Sequence, residues 1–183
     1  MSASVEGGMV RLEPFAIRHR NDPAYLGWLR DHDVIRTLNL PSYMAKPVSL
    51  EEVQNYCDRA MASTTERFFA IERKAEGDFI GTLKVGSINS YAATADIGIM
   101  IGRRDLWGKG FAQDAIAAIC RRLFRSEGFR RLTAGAMAIN PGMIRVFEKL
   151  GFQREGCFRR HDRLGEEYID HIHLGCMAEE FVG

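Results

Sequence analysis

The chain has 183 residues, enough for one domain with a substantial core and too few for two domains of ordinary size. Charged residues make up 27% and hydrophobic residues 46% of the sequence, and the formal net charge is +1, which is typical of a globular protein in water and not of a dedicated nucleic-acid-binding protein. No apolar run approaches the roughly 20 residues that span a bilayer, so we expect no membrane partner.

The cysteines and the first residues indicate the compartment. Four cysteines (Cys57, Cys120, Cys157 and Cys176) are widely spaced without a CxxC pair, so we expect reduced thiols. Residues 1–8 lack the charged start and apolar stretch of a secretory signal. We therefore expect a cytoplasmic protein with a flexible segment over residues 1–8 and a single domain over residues 9–180.

The first part of the chain predicts a strand and a short helix. Residues 9–17 form a strand that Pro14 restricts to an edge or irregular pairing. Asp-Pro at 22–23 begins a helix that runs to Arg30, and residues 33–38 add a further turn.

A longer helix and three strands follow. Ser49 and Glu52 form a capping box that predicts a helix over residues 50–62. Its buried face is expected to comprise Leu50, Val53, Cys57 and Met61. The strands are expected over residues 68–72, 79–86 and 95–101.

The second half alternates helices and strands. The expected elements are a helix over 112–124, a strand over 131–137, a helix that begins at Asn140 and Pro141 and ends at Gly151, and a closing hairpin with strands over 153–160 and 166–177. The whole pattern predicts an α+β (mixed α/β) fold, with a mixed, mostly antiparallel central sheet flanked by helices.

Residues 103–112 form a glycine-rich turn between the third of those strands and the helix after it. Gly108 and Gly110 allow backbone N–H groups to approach a ligand, and the helix dipole behind them favours an anion. A P-loop is excluded because five residues, not four, separate Gly102 from Gly108. The dinucleotide fingerprint is excluded because Gln113 stands where its third glycine belongs. Spacing alone leaves a phosphate-binding turn and an ordinary connection open.

Two stretches resemble the GNAT N-acetyltransferases. Ile97–Ile101 followed by Trp107–Ala112 resembles the acetyl-CoA loop of that family, and Asn140–Phe152 resembles its second cofactor element. The tail, Gly165–His171, is similar to the closing strand of the RimJ/RimL-like (ribosomal-protein-alanine acetyltransferase-like) branch. The resemblance implies a single GNAT domain and an acetyl-CoA-dependent N-acetyltransferase with no metal.

The resemblance also implies a cofactor site. Backbone N–H groups of the glycine-rich turn would hold the CoA pyrophosphate, and the preceding strand and Asn140 would hold the pantetheine arm. The expected set is Ile99, Met100, Ile101, Trp107, Gly108, Lys109, Gly110, Phe111, Ala112, Asn140, Met143 and Phe147.

Two residues depart from the family. Asp105 stands where relatives often have Gln or Arg, and Phe147 stands where many have the tyrosine that reprotonates the CoA thiolate, a step that a phenyl group cannot perform.

Acetyl transfer to an amine needs a proton acceptor and a polarised thioester carbonyl. We expect a backbone N–H near Met100 to stabilise the oxyanion. Asp96 is the first candidate base, against the alternative of a solvated strand residue, and Asp170 and His171 are its rivals. Tyr168, Tyr91, Cys157 and water are the candidate proton donors. The predicted catalytic set is thus Asp96, Tyr168 and Asp170.

The acceptor is open. The branch resemblance implies a protein N-terminus or small amine, a nucleotide-linked amino sugar is the main alternative, and Phe147 also leaves open a non-catalytic acyl-CoA-binding sensor. A homodimer is left open, because relatives often pair.

Other polar and aromatic residues have competing interpretations. Two strand histidines such as His171 and His173 are more often structural or acceptor-site residues than a metal pair. An aromatic acceptor pocket would use Trp28, Tyr43 and Trp107, with core packing favoured for Trp28. Arg121, Arg122, Arg125, Arg130 and Arg131 predict a solvated helix face rather than an RNA contact. Arg18, Arg20, Arg36, Arg159, Arg160 and Arg163 include candidate contacts for an anionic acceptor.

Overall fold

The computed structural model describes residues 3–38 and 46–183, and in this part of the chain eight strands form one mixed sheet. The strands are β1 (Val5–Glu6), β2 (Val10–Pro14), β3 (Arg67–Arg73), β4 (Phe79–Asn89), β5 (Thr94–Ile101), β6 (Arg131–Met137), β7 (Gln153–Leu164) and β8 (Glu167–Met177). The helices are α1 (Ile17–Arg20), α2 (Pro23–Arg30), α3 (His32–Ile35), α4 (Leu50–Ala62), α5 (Phe111–Ser126) and α6 (Pro141–Lys149), with a 3-10 turn at Arg104–Leu106. The predicted α+β fold is confirmed.

The sheet opens in its middle. Its order is β1-β2-β3-β4-β5-β6-β8-β7, and the described pairs are antiparallel except β5 with β6. That parallel pair joins only Thr94–Asp96 to Arg131–Thr133. Because β4 follows β5 as far as Ile101 and β8 follows β6 as far as Met137, the two central strands separate beyond their short pairing. We call the space between residues 97–101 and 134–137 the gap.

Helices cover the two faces of the sheet unequally. On the first face, α5 and α6 pack over strands on both sides of the gap, as the cluster containing Ile97, Leu132, Ile116 and Ile144 shows. On the second face, α2, α3 and α4 pack over β3, β4 and the end of β5 at Met100. Among the described residues, this second cluster contains no side chain of β6, β7 or β8. In residues 3–38 and 46–183, no helix packs over β6, β7 or β8 on this second face, and we call the region of the face beside them the helix-free face.

The bounds of helix α4 agree with the prediction, but its buried face agrees only in part. Its predicted bounds and the Ser49–Glu52 capping box are confirmed. Its buried stripe is Val53, Cys57 and Ala60, spaced i, i+4 and i+7. The prediction was wrong for Leu50, which is 48% exposed at the first helical position, and for Met61, which is only half-buried at the rim of the stripe.

The segment expected to be flexible contains ordered residues. Val5–Glu6 pairs with β2, and Val5 is buried. The Asp114 carboxylate in the first turn of α5 accepts hydrogen bonds from the N–H groups of Gly8, Met9 and Val10, at 2.7–2.9 Å. Within the stretch expected to be flexible, β1 is thus paired with β2, and Gly8 is bound to Asp114 of α5.

In residues 3–38 and 46–183, no helix has both the length and the apolar character needed to cross a bilayer.

Candidate active site

The backbone of β5 turns hydrogen-bonding groups toward the gap. The N–H of Gly102 donates to the Ile80 carbonyl across the β4 side, at 2.9 Å. Backbone N–H groups of successive residues in a strand point to opposite edges. The N–H of Met100 therefore also points toward β4, whereas those of Ile99 and Ile101 point into the gap. The N–H donor expected near Met100 is therefore that of a neighbouring residue. Met100 itself contributes its side chain to the second-face cluster.

Trp107 closes the far end of the gap. Its indole Nε1 donates to the carbonyl oxygen of Ile101 at 2.8 Å, and its side chain is 45% exposed. The carbonyl of Ile101 is thus occupied within the protein, and its N–H is the group that it turns to the gap.

The glycine-rich turn has the geometry of an anion-binding loop. Gly108 and Gly110 have φ of 74° and 89°, a region that favours glycine. The first bond of α5 runs from the N–H of Asp114 to the carbonyl of Gly110, so the N–H groups of residues 111–113 precede the hydrogen-bonding ladder. They lie at the positive end of a 16-residue helix. These donors suit a pyrophosphate.

The acidic departure in this turn is neutralised by its neighbour. Arg103 holds the Asp105 carboxylate with two hydrogen bonds of 2.8 and 2.7 Å, and this pairing lowers the pKa of Asp105 to about 2. Arg103 also contacts Asp78 at 3.0 Å. Because the charge of Asp105 is paired, it opposes an anion at the turn less than an unpaired carboxylate would.

The second cofactor element begins with a capped helix. The side-chain oxygen of Asn140 accepts the N–H of Met143 at 3.1 Å, so this oxygen caps α6. Phe147 is 1% exposed and packs against Phe152 with ring centroids 5.0 Å apart. The position that carries a tyrosine in many relatives is here part of the core, and it supplies packing rather than a proton.

Asp96 lies where β5 and β6 separate. It alternates with Met100 and therefore points to the helix-free face, where its Oδ2 accepts a hydrogen bond from Thr133 Oγ1 at 2.8 Å. Burial raises the pKa of Asp96 above its usual range, against the hydrogen bond from Thr133 and the positive charge of Lys84, which both favour the carboxylate. A half-buried carboxyl group with a raised pKa beside an open strand edge is a candidate proton acceptor.

Three histidines of the closing hairpin lie close together, and two of them, His171 and His173, face Asp96. The rings of His171 and His173 are 5.0 Å apart, and the ring of His161 is 5.9 Å from that of His171. His171 Nδ1 lies 2.6 Å from an oxygen of Asp162, which is 3% exposed. Burial lowers the pKa of His173, and repulsion from the other two histidines lowers it further, so His173 is neutral near pH 7. Asp162 and His161 could not be predicted from the sequence, because their approach to His171 depends on how β7 pairs with β8.

The structure does not bring the three predicted catalytic residues together. Asp170 alternates with His171 and points away from Asp96, and its carboxylate accepts the N–H of Arg160 at 2.8 Å. Tyr168 is 54% exposed, and its ring lies under the Arg160 guanidinium at 5.6 Å. Only Asp96 of this set lies where the central strands separate.

The other candidate proton donors also lie apart. Tyr91 is fully exposed in the turn between β4 and β5. Cys157 donates to Asp170 at 3.6 Å, and partial desolvation together with that carboxylate raises the pKa of its thiol. In the described residues, neither side chain hydrogen-bonds to Asp96.

The predicted aromatic pocket does not form from all three of its residues. Trp28 is 8% exposed in the second-face cluster, so its expected core packing is confirmed. A Cβ at Gly102 would lie 1.9 Å from the Trp28 ring, which explains the glycine there. Trp107 lies at the end of the gap, and Tyr43 lies outside the described residues.

Most of the arginines singled out in the sequence are engaged within the chain. The ion pairs are Arg18–Glu72 (3.2 Å), Arg20–Asp58 (2.6 Å), Arg36–Asp33 (4.0 Å), Arg122–Glu127 (2.8 Å) and Arg131–Glu155. Arg125, Arg130 and Arg163 donate to backbone carbonyls. Arg159 and Arg160 line an open groove of about 580 Å³ with Phe158 and Asp170. Within residues 3–38 and 46–183, no group of three or more His, Cys, Asp or Glu side chains is arranged to hold a metal ion.

Comparison with known proteins identifies the family. Residues 10–153 match the acetyltransferase (GNAT) domain. The uncharacterized N-acetyltransferase p20 of Bacillus licheniformis is 26% identical over 153 residues, which cover 84% of this chain and 85% of that protein. The structure of spermidine N-acetyltransferase from Vibrio cholerae, solved with CoA and spermine, has a TM-score of 0.81 at 18% identity and covers 96% of this chain and 99% of its own.

A second solved structure has the same fold. RimL, a ribosomal L7/L12 alpha-N-protein acetyltransferase solved with CoA, has a TM-score of 0.80 at 18% identity, covering 93% of this chain and 94% of its own. The domain match extends over well more than half of the chain, and the open sheet and the anion-binding turn agree with it. The chain therefore belongs to the GNAT family of acetyltransferases and is an N-acetyltransferase.

Proposed function

We propose that this protein transfers the acetyl group of acetyl-CoA to a primary amine by direct attack, without an acetylated enzyme intermediate. The observation that carries the proposal is the separation of β5 and β6 immediately beyond Asp96. It leaves the N–H groups of Ile99 and Ile101 turned into a gap, next to a carboxyl group whose pKa burial raises. One opening thus combines donors for a thioester oxygen with a proton acceptor.

Acetyl-CoA would enter this opening from the glycine-rich turn. The N–H groups of Gly108 and of residues 110–113 would hold its pyrophosphate, since that of Lys109 donates to the Leu106 carbonyl, and the gap-facing edge of β5 would pair with the pantetheine arm. The N–H of Ile99 or Ile101 would donate to the carbonyl oxygen, on which negative charge develops during attack. The amine would approach over the helix-free face, where Asp96 accepts its proton.

Phe147 makes the return of a proton to sulfur depend on another group. Its buried phenyl ring has no proton to give to the leaving thiolate. Asp96 is one source, since it carries the proton released when the C–N bond forms, and water is another. Either route yields free CoA thiol and an amide.

The acceptor class is a primary amine, and its two leading members are a protein N-terminus and a small amine. The resemblance of the tail to the RimJ/RimL-like branch, together with the fold shared with RimL, favours a protein N-terminus. The fold shared with a spermidine acetyltransferase favours a small amine. A nucleotide-linked amino sugar is a further alternative.

Thiol release from acetyl-CoA separates these candidates. The assay would compare a peptide with a free N-terminus, spermidine and a nucleotide-linked amino sugar, with Asp96→Asn as the matched variant. Release that depends on one acceptor class and on Asp96 supports the proposal. Release with amino sugars alone excludes the protein acceptor. CoA binding without turnover of any amine contradicts the proposal and supports an acyl-CoA sensor.

A further inference from the structure

The closing hairpin holds a paired histidine and aspartate outside the machinery assigned so far. His171 Nδ1 lies 2.6 Å from Asp162 Oδ2, and the Asp162 side chain is 1% exposed. The other oxygen, Oδ1, is buried and has no hydrogen-bond partner among the described residues. Placing a carboxylate in such an environment is unfavourable without a donor, and the His171 N–H is the donor that the structure supplies. This pairing assigns the proton of neutral His171 to Nδ1 and leaves a lone pair on Nε2.

The Nε2 atom lies against a glycine beside the gap. A Cβ built on Gly135 would be 2.3 Å from His171 Nε2, so the ring occupies the space that a side chain at this position would need. Gly135 belongs to β6 beyond its pairing with β5 and lies on the side of the sheet to which Thr133 points. The lone pair of His171 is therefore close to the helix-free face, over which the amine would approach.

The charged groups around His171 come from four strands. Asp162 and His161 face it from β7, His173 from its own strand β8, and Asp96 from β5. Lys84 of β4 faces Asp96 and also pairs with Glu66, at 3.3 Å. The Asp162 carboxylate stabilises the charge that His171 would acquire on accepting a proton.

Acetylation of an ammonium ion requires two protons to leave the nitrogen. The first must leave before attack, because R–NH3+ has no lone pair. The second leaves as the C–N bond forms and the C–S bond breaks. One of these protons ends on the CoA sulfur and the other in solvent. A single acceptor such as Asp96 therefore accounts for only one of the two protons.

We propose that His171 removes the first proton through Nε2, and that Asp162 is the positioning residue that holds His171 in the required tautomer. This inference rests on the proposed function. His171 takes a proton from R–NH3+ and returns it to solvent, and the neutral amine attacks the thioester. Asp96 accepts the second proton, and the sulfur leaves as thiolate and is protonated to the free thiol.

The kinetic test compares two amines that differ in basicity. Ethanolamine is protonated at pH 7 and requires His171, whereas trifluoroethylamine is largely neutral and does not. His171→Gln should lower kcat/KM for ethanolamine by about 100-fold at pH 7 and leave that for trifluoroethylamine little changed. At pH 10, where ethanolamine deprotonates unaided, the loss should disappear. His32→Gln, on α3 outside the closing hairpin, is the matched control.

Two variants test the geometry while keeping the imidazole. Gly135→Ala should displace His171 and reproduce the selective loss, whereas Gly156→Ala, which has open space at its Cβ on the neighbouring strand, should not. Asp162→Asn should weaken turnover of ethanolamine more than of trifluoroethylamine.

The outcomes separate this inference from the function on which it rests. If the unaltered protein acetylates both probes but His171→Gln lowers both equally at every pH, His171 is not the first proton acceptor. If the unaltered protein acetylates neither probe nor any other amine, the proposed function fails as well. Long-range 1H–15N NMR gives a reading that is independent of turnover. The neutral ring of His171 should carry its proton on Nδ1, and a proton on Nε2 would overturn the proposal.

Discussion

At the scale of single residues, the candidate site is defined by where polar side chains sit relative to one short strand pairing. Asp96 and Thr133 are the last residues of the parallel pair, and they hydrogen-bond to each other at 2.8 Å. This contact places a carboxylate at the inner end of the gap. The same aspartate one position earlier or later would point to the opposite face, toward α5 and α6. Its role therefore depends on register as well as on residue type.

Substituting Asp96 by Asn should separate activity from stability. Asn still accepts the hydrogen bond from Thr133 but cannot take a proton, so kcat/KM should fall by about 100-fold. Because the pKa of Asp96 is raised in the folded state, ionisation of this group disfavours folding at pH above the folded pKa and has no effect below the unfolded one. The variant should therefore be at least as stable as the unaltered protein at pH 7, as measured by urea unfolding.

Unchanged turnover of the Asp96→Asn variant between about pH 6 and 9 would remove Asp96 as the base. If the variant instead lost activity only because it unfolded at a lower urea concentration, Asp96 would be a structural residue.

At the scale of elements, the sequence predicted those parts of the site that local chemistry determines. Helix α4 follows from its capping box, and the glycine-rich turn follows from two glycines ahead of a helix. The meeting of Asp162 with His171 could not be predicted, because it depends on irregular pairing between β7 and β8 from Phe158 to Asp162. The attachment of residues 8–10 to Asp114 could not be predicted either, because these residues are 104–106 positions apart in the sequence.

The turn itself can be tested with two glycines of similar conformation. Gly108 and Gly77 have φ of 74° and 72°, and neither Cβ would meet a neighbour. Alanine at either position should therefore carry the same backbone strain, about 1–2 kcal/mol. Only Gly108→Ala should raise the KM for acetyl-CoA, by about 10-fold, because only that turn would bind the pyrophosphate.

Steady-state kinetics with acetyl-CoA as the varied substrate measures this difference, and thermal unfolding of both variants checks the matched strain. Equal KM values for the two variants would remove the turn from cofactor binding.

At the scale of the whole molecule, the two halves of the sheet separate at the gap, and helices cover its two faces unequally. Helices α5 and α6 bridge the gap on one face, whereas on the other face the described residues of α2, α3 and α4 reach it only at Met100. In the proposed reaction, this arrangement would give the cofactor and the acceptor separate approaches to one opening. The fold class and most element bounds could be predicted from periodicity. The opening could not, because it arises where two strands of the same sheet cease to pair.

Binding of CoA should stabilise the entire domain, because at the proposed site it would bridge the two halves of the sheet. At a CoA concentration 100 times Kd, linkage predicts about 2.7 kcal/mol of added stability and a rise in Tm of roughly 5–10 °C. Differential scanning fluorimetry measures this shift, and pantetheine, which lacks the pyrophosphate, is the control ligand. At the same concentration, a shift with pantetheine equal to that with CoA would contradict binding of the pyrophosphate at the glycine-rich turn.

Direct transfer of acetyl from CoA to an amine is tested most directly by mass spectrometry of all products in a single-turnover reaction. Protein in excess over acetyl-CoA would be mixed with an accepted amine and stopped over a time course. Direct attack predicts N-acetylated amine and free CoA in equal amounts at every time, with the protein mass unchanged. Acetyl groups that appear first on the protein, or free CoA formed without acetylated amine, would contradict it.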